Sequence, residues 1–271
     1  MDATHTFCST QRYLYKRRGF ACHNMRFFKK LATAARVLHT VKNSHTYIKD
    51  YRRQLHGTYT LTLRSGETFT LRAGTCDRGI LTEVWVNNCY PLPADCSGMT
   101  IIDLGAQIGM FSVFAARRGA RVIAFEPVPE NYALLRKNVA QNKLRTVTTE
   151  MAAVSGKPGV LTIYLDTSNT GGHSALTQSN HAVRVKATTL AAVFKKYGLK
   201  TCDVLKIDTE GSEYAILYNT PAAVLRRVKS LLLETHDLPG KGTNTTALAA
   251  FLKKQGFLVT VGEGYIFASR S

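Results

Sequence analysis

The sequence predicts an α/β protein with a mostly parallel β-sheet that ends in an antiparallel hairpin. From residue 100 onward, short apolar runs typical of buried strands alternate with amphipathic helical segments. This alternation implies crossover connections, which make neighbouring strands parallel. The last two apolar runs, 256–261 and 265–271, are separated only by a Gly-Glu-Gly connection. Because this connection is too short for a crossover, the last two strands are expected to be antiparallel.

Four runs give the clearest strand signal, and helical patterns lie between them. The runs are TIIDLG at 100–105, RVIAFEP at 121–127, VLKID at 204–208 and SLLLETH at 230–236. Helices are predicted at Asn131–Gln141 and Leu190–Tyr197, which carry apolar residues at helical spacing. A parallel sheet closed by one C-terminal hairpin is the layout of Rossmann-like class I methyltransferases, so we expect a seven-stranded sheet.

Helices and a hairpin are predicted before this core. Apolar residues between Phe28 and Leu55 recur mostly at three- and four-residue steps, which predicts one or two amphipathic helices. Thr58–Ala73 contains two alternating runs around the turn Arg64–Glu67, a pattern that predicts a β-hairpin. A helical stretch near Gly79–Asn87 and a proline-containing loop connect this hairpin to the core.

The positive charge is concentrated at the N-terminus. The chain has a formal net charge of +18, of which +10 comes from residues 1–56, where Asp2 and Asp50 are the acids. The bases are Arg12, Lys16, Arg17, Arg18, Arg26, Lys29, Lys30, Arg36, Lys42, Lys49, Arg52 and Arg53. Such a segment can contact an anionic membrane surface, contact nucleic acid or act as an organelle transit peptide. The alternative is a solvated helical extension without a partner.

Other classes of protein lack support in the composition. No stretch approaches the roughly 20 apolar residues that a membrane span needs. The six cysteines form no Cys-x-x-Cys pair and do not cluster with histidine, so neither a metal site nor a redox motif is indicated. We expect reduced thiols, no metal and a cytoplasmic location, with a transit peptide left open.

A glycine-rich turn follows the strand at 100–105. Gly105 and Gly109 permit a sharp turn and a close approach of a ligand to the backbone, with Ala106 between them. Gln107 occupies the position at which a dinucleotide-binding turn has its middle glycine, next to the pyrophosphate. The turn therefore favours a ligand without a pyrophosphate.

A carboxylate lies at the position expected for a ribose contact. Glu126 ends its strand seventeen residues after Gly109, where it can accept both hydroxyls of a ribose, and Pro127 ends the strand. A nucleoside without phosphates is implied, and S-adenosylmethionine fits that description. The small residues of the segment Met151–Ser155, including Ala152, leave room for the adenine, although they are equally compatible with core packing.

Several strings together resemble the FkbM family of methyltransferases. In chain order they are IIDLGAQIGMFSVFAA, VIAFEPVPENYALLRKNV, MAAVS, GGHSAL, VLKIDTEGSEYAIL and SLLLETH. The resemblance covers about Thr58–Ser271. We therefore expect residues 1–56 to form a basic helical extension and residues 57–271 to form an FkbM-like domain, with the hairpin at 58–73 and a Rossmann-like core at 98–271.

The resemblance also implies roles for particular residues. It assigns adenosylmethionine binding to Asp103, Gly105, Gly109 and Glu126. It places Asp208, Glu210 and Gly211 in the family's signature Lys-Ile-Asp-x-Glu-Gly, at the mouth of the sheet. One difference is Met151, which stands where family members often have asparagine.

The reacting groups are expected at the carboxyl ends of two strands. Asp208 and Glu234 end the runs VLKID and SLLLE and would project into the crevice where ligands bind. Lys206, the sulfonium of the cofactor or a polyol substrate can balance their charge. An alternative role for Asp208 is to cap the helix that follows it. His236 and His173 are the candidate bases, and an exposed histidine without a role is the alternative for each.

The predicted function is the transfer of a methyl group from S-adenosylmethionine to a hydroxyl of a sugar, glycolipid or secondary metabolite. The resemblance to the FkbM family implies this acceptor class, a small molecule or glycan. One alternative is methylation of RNA or a nucleic-acid-associated substrate, recruited through the basic N-terminus. A second is a non-catalytic binding or scaffold protein that keeps the methyltransferase fold.

Overall fold

The fold is described from a computed structural model of the protein. The structure describes residues 24–90, 92–164, 182–240, 242–262 and 264–270, with side chains from residue 32 onward. The candidate base His173 lies outside the described residues.

A seven-stranded sheet forms the centre of the described part of the chain. Its strands, numbered along the chain and given in spatial order, are β11 (Leu258–Val261), β12 (Tyr265–Ser269), β10 (Val228–Glu234), β9 (Cys202–Ile207), β3 (Thr100–Leu104), β4 (Arg121–Phe125) and β5 (Val147–Glu150). Strand β12 is antiparallel to β10 and β11, whereas the other neighbours are parallel. The predicted mostly parallel sheet with an antiparallel C-terminal hairpin is confirmed.

Helices cover the sheet, and a separate hairpin precedes it. The helices are α1 (Asn24–Thr40), α2 (Ser44–Tyr51), α3 (Asp77–Leu81), α4 (Met110–Arg117), α5 (Pro129–Gln141), α6 (Leu190–Lys196), α7 (Glu213–Tyr218), α8 (Ala222–Leu225) and α9 (Thr245–Lys254). The hairpin pairs β1 (Thr58–Thr62) with β2 (Thr68–Arg72), as the alternating pattern predicted. A π-helical turn at Thr82–Val86 continues α3, so the stretch predicted at Gly79–Asn87 is helical.

The two central strands explain why the apolar runs are almost continuous. In β3, Ile101 packs into the core on one face and Ile102 into the core on the other. In β9, Val204 and Leu205 do the same. Strands that are buried on both faces need apolar residues at consecutive positions rather than at alternate ones. Lys206 is a buried charged residue in β9, and its side chain is only 4% exposed.

A second, three-stranded sheet was not predicted from the sequence. It consists of β6 (Ala153–Val154), β8 (Ala182–Thr188) and β7 (Gly159–Tyr164), in that order. Ala153, Ile163 and Val185 form a small apolar cluster with Val128, which follows β4. This cluster places the small sheet beside the carboxyl end of β4, where it forms part of a cavity wall.

The helices of the basic segment pack against the hairpin. Val37, Val41 and Tyr47 are buried in the same apolar cluster as the hairpin residues. The buried carboxylate of Asp50 accepts hydrogen bonds from the Gly74 backbone (3.0 Å) and the Arg78 side chain (2.8 Å). Residues 37–50 are therefore part of the folded unit, whereas the role of residues 1–56 as a solvated extension without a partner stays a prediction.

The outer face of this segment carries the exposed bases Arg36, Lys42, Lys49, Arg52 and Arg53. Contact of this segment with an anionic membrane surface or nucleic acid stays a prediction. No helix in the described ranges has both the length and the apolar character needed to cross a membrane.

The hairpin is held to the core through a buried asparagine of α5. The Asn138 side chain accepts from the Thr70 backbone N–H (2.8 Å) and donates to the carbonyl of Ile108 (2.8 Å) and that of Thr70 (3.3 Å). These contacts join β2 to the segment that leads into α4.

Replacing Asn138 is expected to destabilise the whole domain. The substitution Asn138→Ala leaves buried backbone groups of Thr70 and Ile108 without a partner, so we expect a loss of about 2–4 kcal/mol. Denaturant unfolding measures this loss. The exposed Asn219→Ala is the control, with an expected change within about 0.5 kcal/mol. Equal stability of the two variants would contradict the proposed anchoring of the hairpin.

Candidate active site

The turn after β3 passes close to the end of β9. Gly105 has a φ of +78°, and a Cβ atom at this position would lie 1.7 Å from the carbonyl oxygen of Asp208. The N–H groups of Gly105 and Ala106 both donate to the carbonyl of Phe125 (3.0 Å each). Glycine is therefore required at position 105 by the neighbouring protein backbone itself, in addition to any requirement of a ligand.

Gly109 has a different reason to be glycine. Its φ is +91°, and a Cβ would lie 2.7 Å from the Cδ1 atom of Leu135 in α5. The glycine thus allows the start of α4 to approach α5. It does not line the cavity described next, so its predicted role in cofactor binding stays a prediction.

A cavity of about 200 Å³ lies at the carboxyl ends of the central strands. Among the residues predicted for the site, Gly105, Ala106, Glu126, Pro127, Ala152, Asp208, Glu210 and Glu234 line it. Crevices at this edge of an open α/β sheet are where such folds bind ligands. The fold therefore brings most of the predicted site residues to one place.

Glu126 is held at the cavity wall by the backbone. Its Oε2 accepts from the Gln107 N–H (2.8 Å) and its Oε1 from the Val128 N–H (2.9 Å). Burial raises its pKa to about 7, although these hydrogen bonds act in the opposite direction. The remaining lone pairs of the carboxyl group can accept hydroxyl groups. The geometry therefore fits the predicted contact with the ribose of S-adenosylmethionine.

Asp103 lies beneath the turn and not on the cavity wall. The carboxylate is fully buried, with Oδ2 accepting from the Ser112 hydroxyl (2.6 Å) and Oδ1 lying 3.1 Å from Lys206 Nζ. The Lys206 ammonium also donates to the carbonyl of Gly105 (3.0 Å). Asp103 therefore contacts the groups that support the turn, and its direct contact with the cofactor stays a prediction.

The Lys206 ammonium is the buried cation of the site. It lies 3.5 Å from Oδ2 of Asp208 in addition to its contact with Asp103. Burial lowers the pKa of Lys206, but the charges of Asp103 and Asp208 outweigh burial and raise it. The expectation that Lys206 balances the acids at the strand ends agrees with these distances.

The helix-capping interpretation of Asp208 is wrong. The helix α7 begins at Glu213 and has Ser212 at its N-cap position, four residues after Asp208. The Asp208 side chain is 27% exposed and lines the cavity. It is therefore free of a capping role and faces the space in which a ligand would bind.

Glu234 ends β10 and faces the same cavity. Burial is the main cause that raises its pKa to about 8, and the charge of Asp208 raises it further, whereas His236 and Lys206 lower it. The hydroxyl of Tyr90 lies 3.4 Å from Glu234 Oε2. A carboxylic acid with a pKa near neutrality can exchange a proton with a bound hydroxyl.

His236 is held between two carboxylates. Its Nδ1 lies 3.0 Å from Glu213 Oε1 and its Nε2 lies 3.2 Å from Glu210 Oε2. Burial lowers the pKa of His236, but the hydrogen bond to Glu213 and the charges of Glu210, Glu213 and Asp208 together raise it to about 9. The raised pKa favours the protonated imidazole. Both ring nitrogens contact carboxylates, and the role of His236 as a general base stays a prediction.

Two acidic or hydroxyl groups at the cavity were missed by the sequence analysis. Glu83 and Tyr90 line it from the segment before the core. Burial and the charge of Asp208 raise the pKa of Glu83. The available signal was a glutamate within the apolar run ILTEVWV, but only the fold shows that this segment lies over the edge of the sheet.

Three side chains of this cluster could also surround a cation. Ligand atoms of Asp208, Glu234 and His236 lie within 4.8 Å of one another. Both nitrogens of His236 already contact carboxylates, and we assign no metal to this cluster. The absence of a metal stays a prediction. Measuring activity after treatment with a chelator tests it.

The sheet, the glycine turn and the buried carboxyl group of Glu126 at the cavity fit one class of protein, a Rossmann-like S-adenosylmethionine-dependent methyltransferase. Residues 103–259 match the family model of the methyltransferase FkbM domain, which covers more than half of the chain. The chain therefore belongs to the FkbM methyltransferase family, and the resemblance seen in the sequence is confirmed.

Individual proteins are also similar to the chain. The chain is 28% identical over 249 residues to the 31-O-demethyl-FK506 methyltransferase FkbM of Streptomyces tacrolimicus, covering 77% of this chain and 92% of that protein. It is 29% identical over 217 residues to the methyltransferase sdnD of Sordaria araneosa. This alignment covers 67% of this chain and 82% of that protein. The solved structure of an S-adenosylmethionine-dependent methyltransferase from Agrobacterium tumefaciens aligns with a TM-score of 0.44 at 12% identity. The alignment covers 79% of this chain and 70% of that chain.

Removing the ribose carboxylate is expected to weaken cofactor binding. The substitution Glu126→Ala removes hydrogen bonds to two hydroxyls, so we expect a loss of about 2–3 kcal/mol in the binding of S-adenosylmethionine. Calorimetric titration measures this loss. The control Glu130→Ala removes an exposed carboxylate from α5 and should leave the affinity unchanged. An unchanged dissociation constant in Glu126→Ala would refute the ribose contact.

Proposed function

We propose that this FkbM-family enzyme transfers a methyl group to a hydroxyl of a sugar, glycolipid or secondary metabolite. The observation that carries the proposal is Glu234, a carboxyl group at the cavity wall whose pKa is raised to about 8 by burial and by the charge of Asp208. The relative from Streptomyces tacrolimicus is named for a 31-O-demethyl substrate, which supports an oxygen acceptor.

The chemistry of a hydroxyl acceptor requires removal of its proton. Bound S-adenosylmethionine supplies an electrophilic methyl group on its sulfonium. A neutral hydroxyl becomes an effective nucleophile when a base takes its proton as the new bond forms. Glu234 serves as this base, because its pKa lies near the working pH. His236 remains a cation that is fixed by Glu210 and Glu213.

The charges at the cavity favour a neutral or cationic acceptor over a phosphate-rich one. The lining carboxyl groups belong to Glu83, Glu126, Asp208, Glu210 and Glu234, whereas Lys206 is shared with the buried Asp103. An RNA backbone brings additional negative charge, and like charges at short range raise the free energy of binding. Methylation of RNA therefore has less support than methylation of a polyol.

A non-catalytic scaffold protein also has less support. Such a protein would have no need of a raised carboxyl pKa at the cavity wall or of a buried ribose carboxylate, both of which cost folding free energy. Glu126 and Glu234 both retain these features.

Parallel labelling tests the acceptor class. The full chain is incubated with methyl-labelled S-adenosylmethionine and with separate extracts of glycans, lipids and RNA. Base-stable label in the glycan or lipid fraction, in an ether linkage, is the expected result. Label in RNA alone would overturn the acceptor class, and no label in any fraction together with no cofactor binding would favour the scaffold.

Removing the proposed base is expected to slow methyl transfer. The substitution Glu234→Gln keeps the shape of the side chain but cannot take up a proton, so the rate should fall by about 10²-fold or more. Cofactor affinity should stay within about threefold, because the lost group acts on the acceptor. The rate is measured on the acceptor that the labelling experiment identifies. The cofactor affinity is measured by calorimetry. Full activity would exclude Glu234 as the base.

The pH dependence should respond to Asp208. The wild-type rate should rise with pH as Glu234 loses its proton, since the folded protein holds its pKa near 8. Asp208→Asn removes a negative charge that raises this pKa, so the rising limb should move to lower pH. Asp95→Asn, at an exposed position, is the control and should leave the profile unchanged. If the rising limb of the pH–rate profile stays at the same pH in Asp208→Asn, the assignment of this limb to Glu234 is contradicted.

A further inference from the structure

Gln107 lies in the cofactor turn with an unusual backbone conformation. Its φ is +49°, which is in the left-handed region that favours glycine. In this conformation its N–H points to Glu126 Oε2 at 2.8 Å. The orientation of a backbone donor to the ribose carboxylate thus depends on a residue held in a disfavoured region.

The Gln107 side chain is fixed from two sides. Its Nε2 donates to Asp77 Oδ1 (2.6 Å), and its Oε1 accepts from the N–H of Ile108 (2.8 Å). The residue is 9% exposed. Both ends of the amide therefore have partners within the protein, and the side chain contributes to the site by holding the turn.

The Asp77 side chain is held in place by Arg72 of the hairpin. The Arg72 guanidinium donates to both of its oxygens, from Nε to Oδ2 (3.0 Å) and from Nη2 to Oδ1 (2.8 Å), and the Arg72 backbone N–H donates to Oδ2 (2.9 Å). Asp77 is fully buried. A two-point contact between a guanidinium and a carboxylate fixes both distance and orientation. One continuous chain of hydrogen bonds thus runs from β2 through Asp77 and Gln107 to Glu126.

We propose that Asp77 and Gln107 are positioning residues for cofactor binding, which transmit the placement of the hairpin to Glu126. The inference goes beyond the proposed acceptor chemistry, because it concerns the cofactor half of the site. Asp77 does not line the cavity, whereas Gln107 does, so Asp77 acts on the cofactor only through Gln107. The hairpin and α3 are thereby part of the cofactor site, although they precede the Rossmann-like core.

The side chain and the backbone of Gln107 can be separated by one substitution. Gln107→Gly relieves the left-handed conformation and keeps the N–H, but it removes the bond to Asp77. If the side chain positions the turn, the dissociation constant for S-adenosylmethionine should rise about tenfold, the effect of one net hydrogen bond. If only the backbone conformation matters, the glycine variant should bind as tightly as the wild type, and the proposal is overturned.

A swapped pair distinguishes positioning from a general loss of stability. Gln107→Glu places two carboxylates against each other and should weaken cofactor binding at least as much as the glycine variant. The double variant Asp77→Asn/Gln107→Glu restores a donor and an acceptor between these two side chains and keeps the total charge, but it removes the bond from Arg72 Nη2 to Asp77 Oδ1. Its dissociation constant should therefore lie between those of Gln107→Glu and the wild type. Binding by a folded double variant as weak as that of Gln107→Glu would overturn the proposal.

Thermal unfolding without ligand provides the second readout. The control Arg117→Gln removes another link of the hairpin, the ion pair of Arg117 with Glu67 (2.7 Å). It should lower the melting temperature without changing the dissociation constant. An equal change in the dissociation constant of this control would show that any loosening of the hairpin weakens binding, which would overturn the specific role of Asp77 and Gln107. If the glycine variant does not fold, the comparison of Gln107→Glu with the swapped pair decides.

Discussion

The site depends on one buried cation. Lys206 Nζ lies 3.0 Å from the carbonyl of Gly105, 3.1 Å from Asp103 and 3.5 Å from Asp208. A charge in the protein interior is costly unless it is paired, and so are the two carboxylates beside it. Lys206 therefore stabilises the glycine turn, the acid beneath it and the acid at the cavity as one unit. Removing any one of these charges would leave the others with an uncompensated partner.

The proposed cofactor contact depends on structure outside the core of the fold. Glu126 directly follows β4, but the N–H that contacts it belongs to Gln107, whose side chain is held by Asp77. Asn138 joins the hairpin to the same region from the opposite side. The hairpin thus has two independent polar connections to the segment around the turn. This arrangement gives a physical reason why the N-terminal elements fold together with the core.

The sequence predicted the strands and the turn because their signals are local. Continuous apolar runs, glycines at a strand end and a carboxylate at the next strand end all follow from short-range pattern and spacing. The small second sheet was missed, since Ala153 and Val154 give too short a signal for a strand. The contributions of Glu83 and Asp77 were missed for another reason: they depend on how a separate segment packs over the sheet edge. The contacts of His236 could not be predicted either, because Glu213 and Glu210, which flank its ring, come together only in the folded chain.

Two titratable groups at the site, Glu234 and His236, have pKa values raised above those of the free side chains. Burial and Asp208 raise the pKa of Glu234 to about 8, whereas the surrounding carboxylates outweigh burial and raise that of His236 to about 9. At neutral pH the glutamate is therefore largely protonated and the histidine is charged, although free in water each would have a pKa below 7. Groups whose environments shift their pKa values in this way divide acid and base roles between them. Glu234 lines the cavity and has the lower pKa of the two groups, whereas both ring nitrogens of His236 contact carboxylates. Glu234 is therefore the base in the function that we propose, and His236 is a positive charge beside the acids in that proposal.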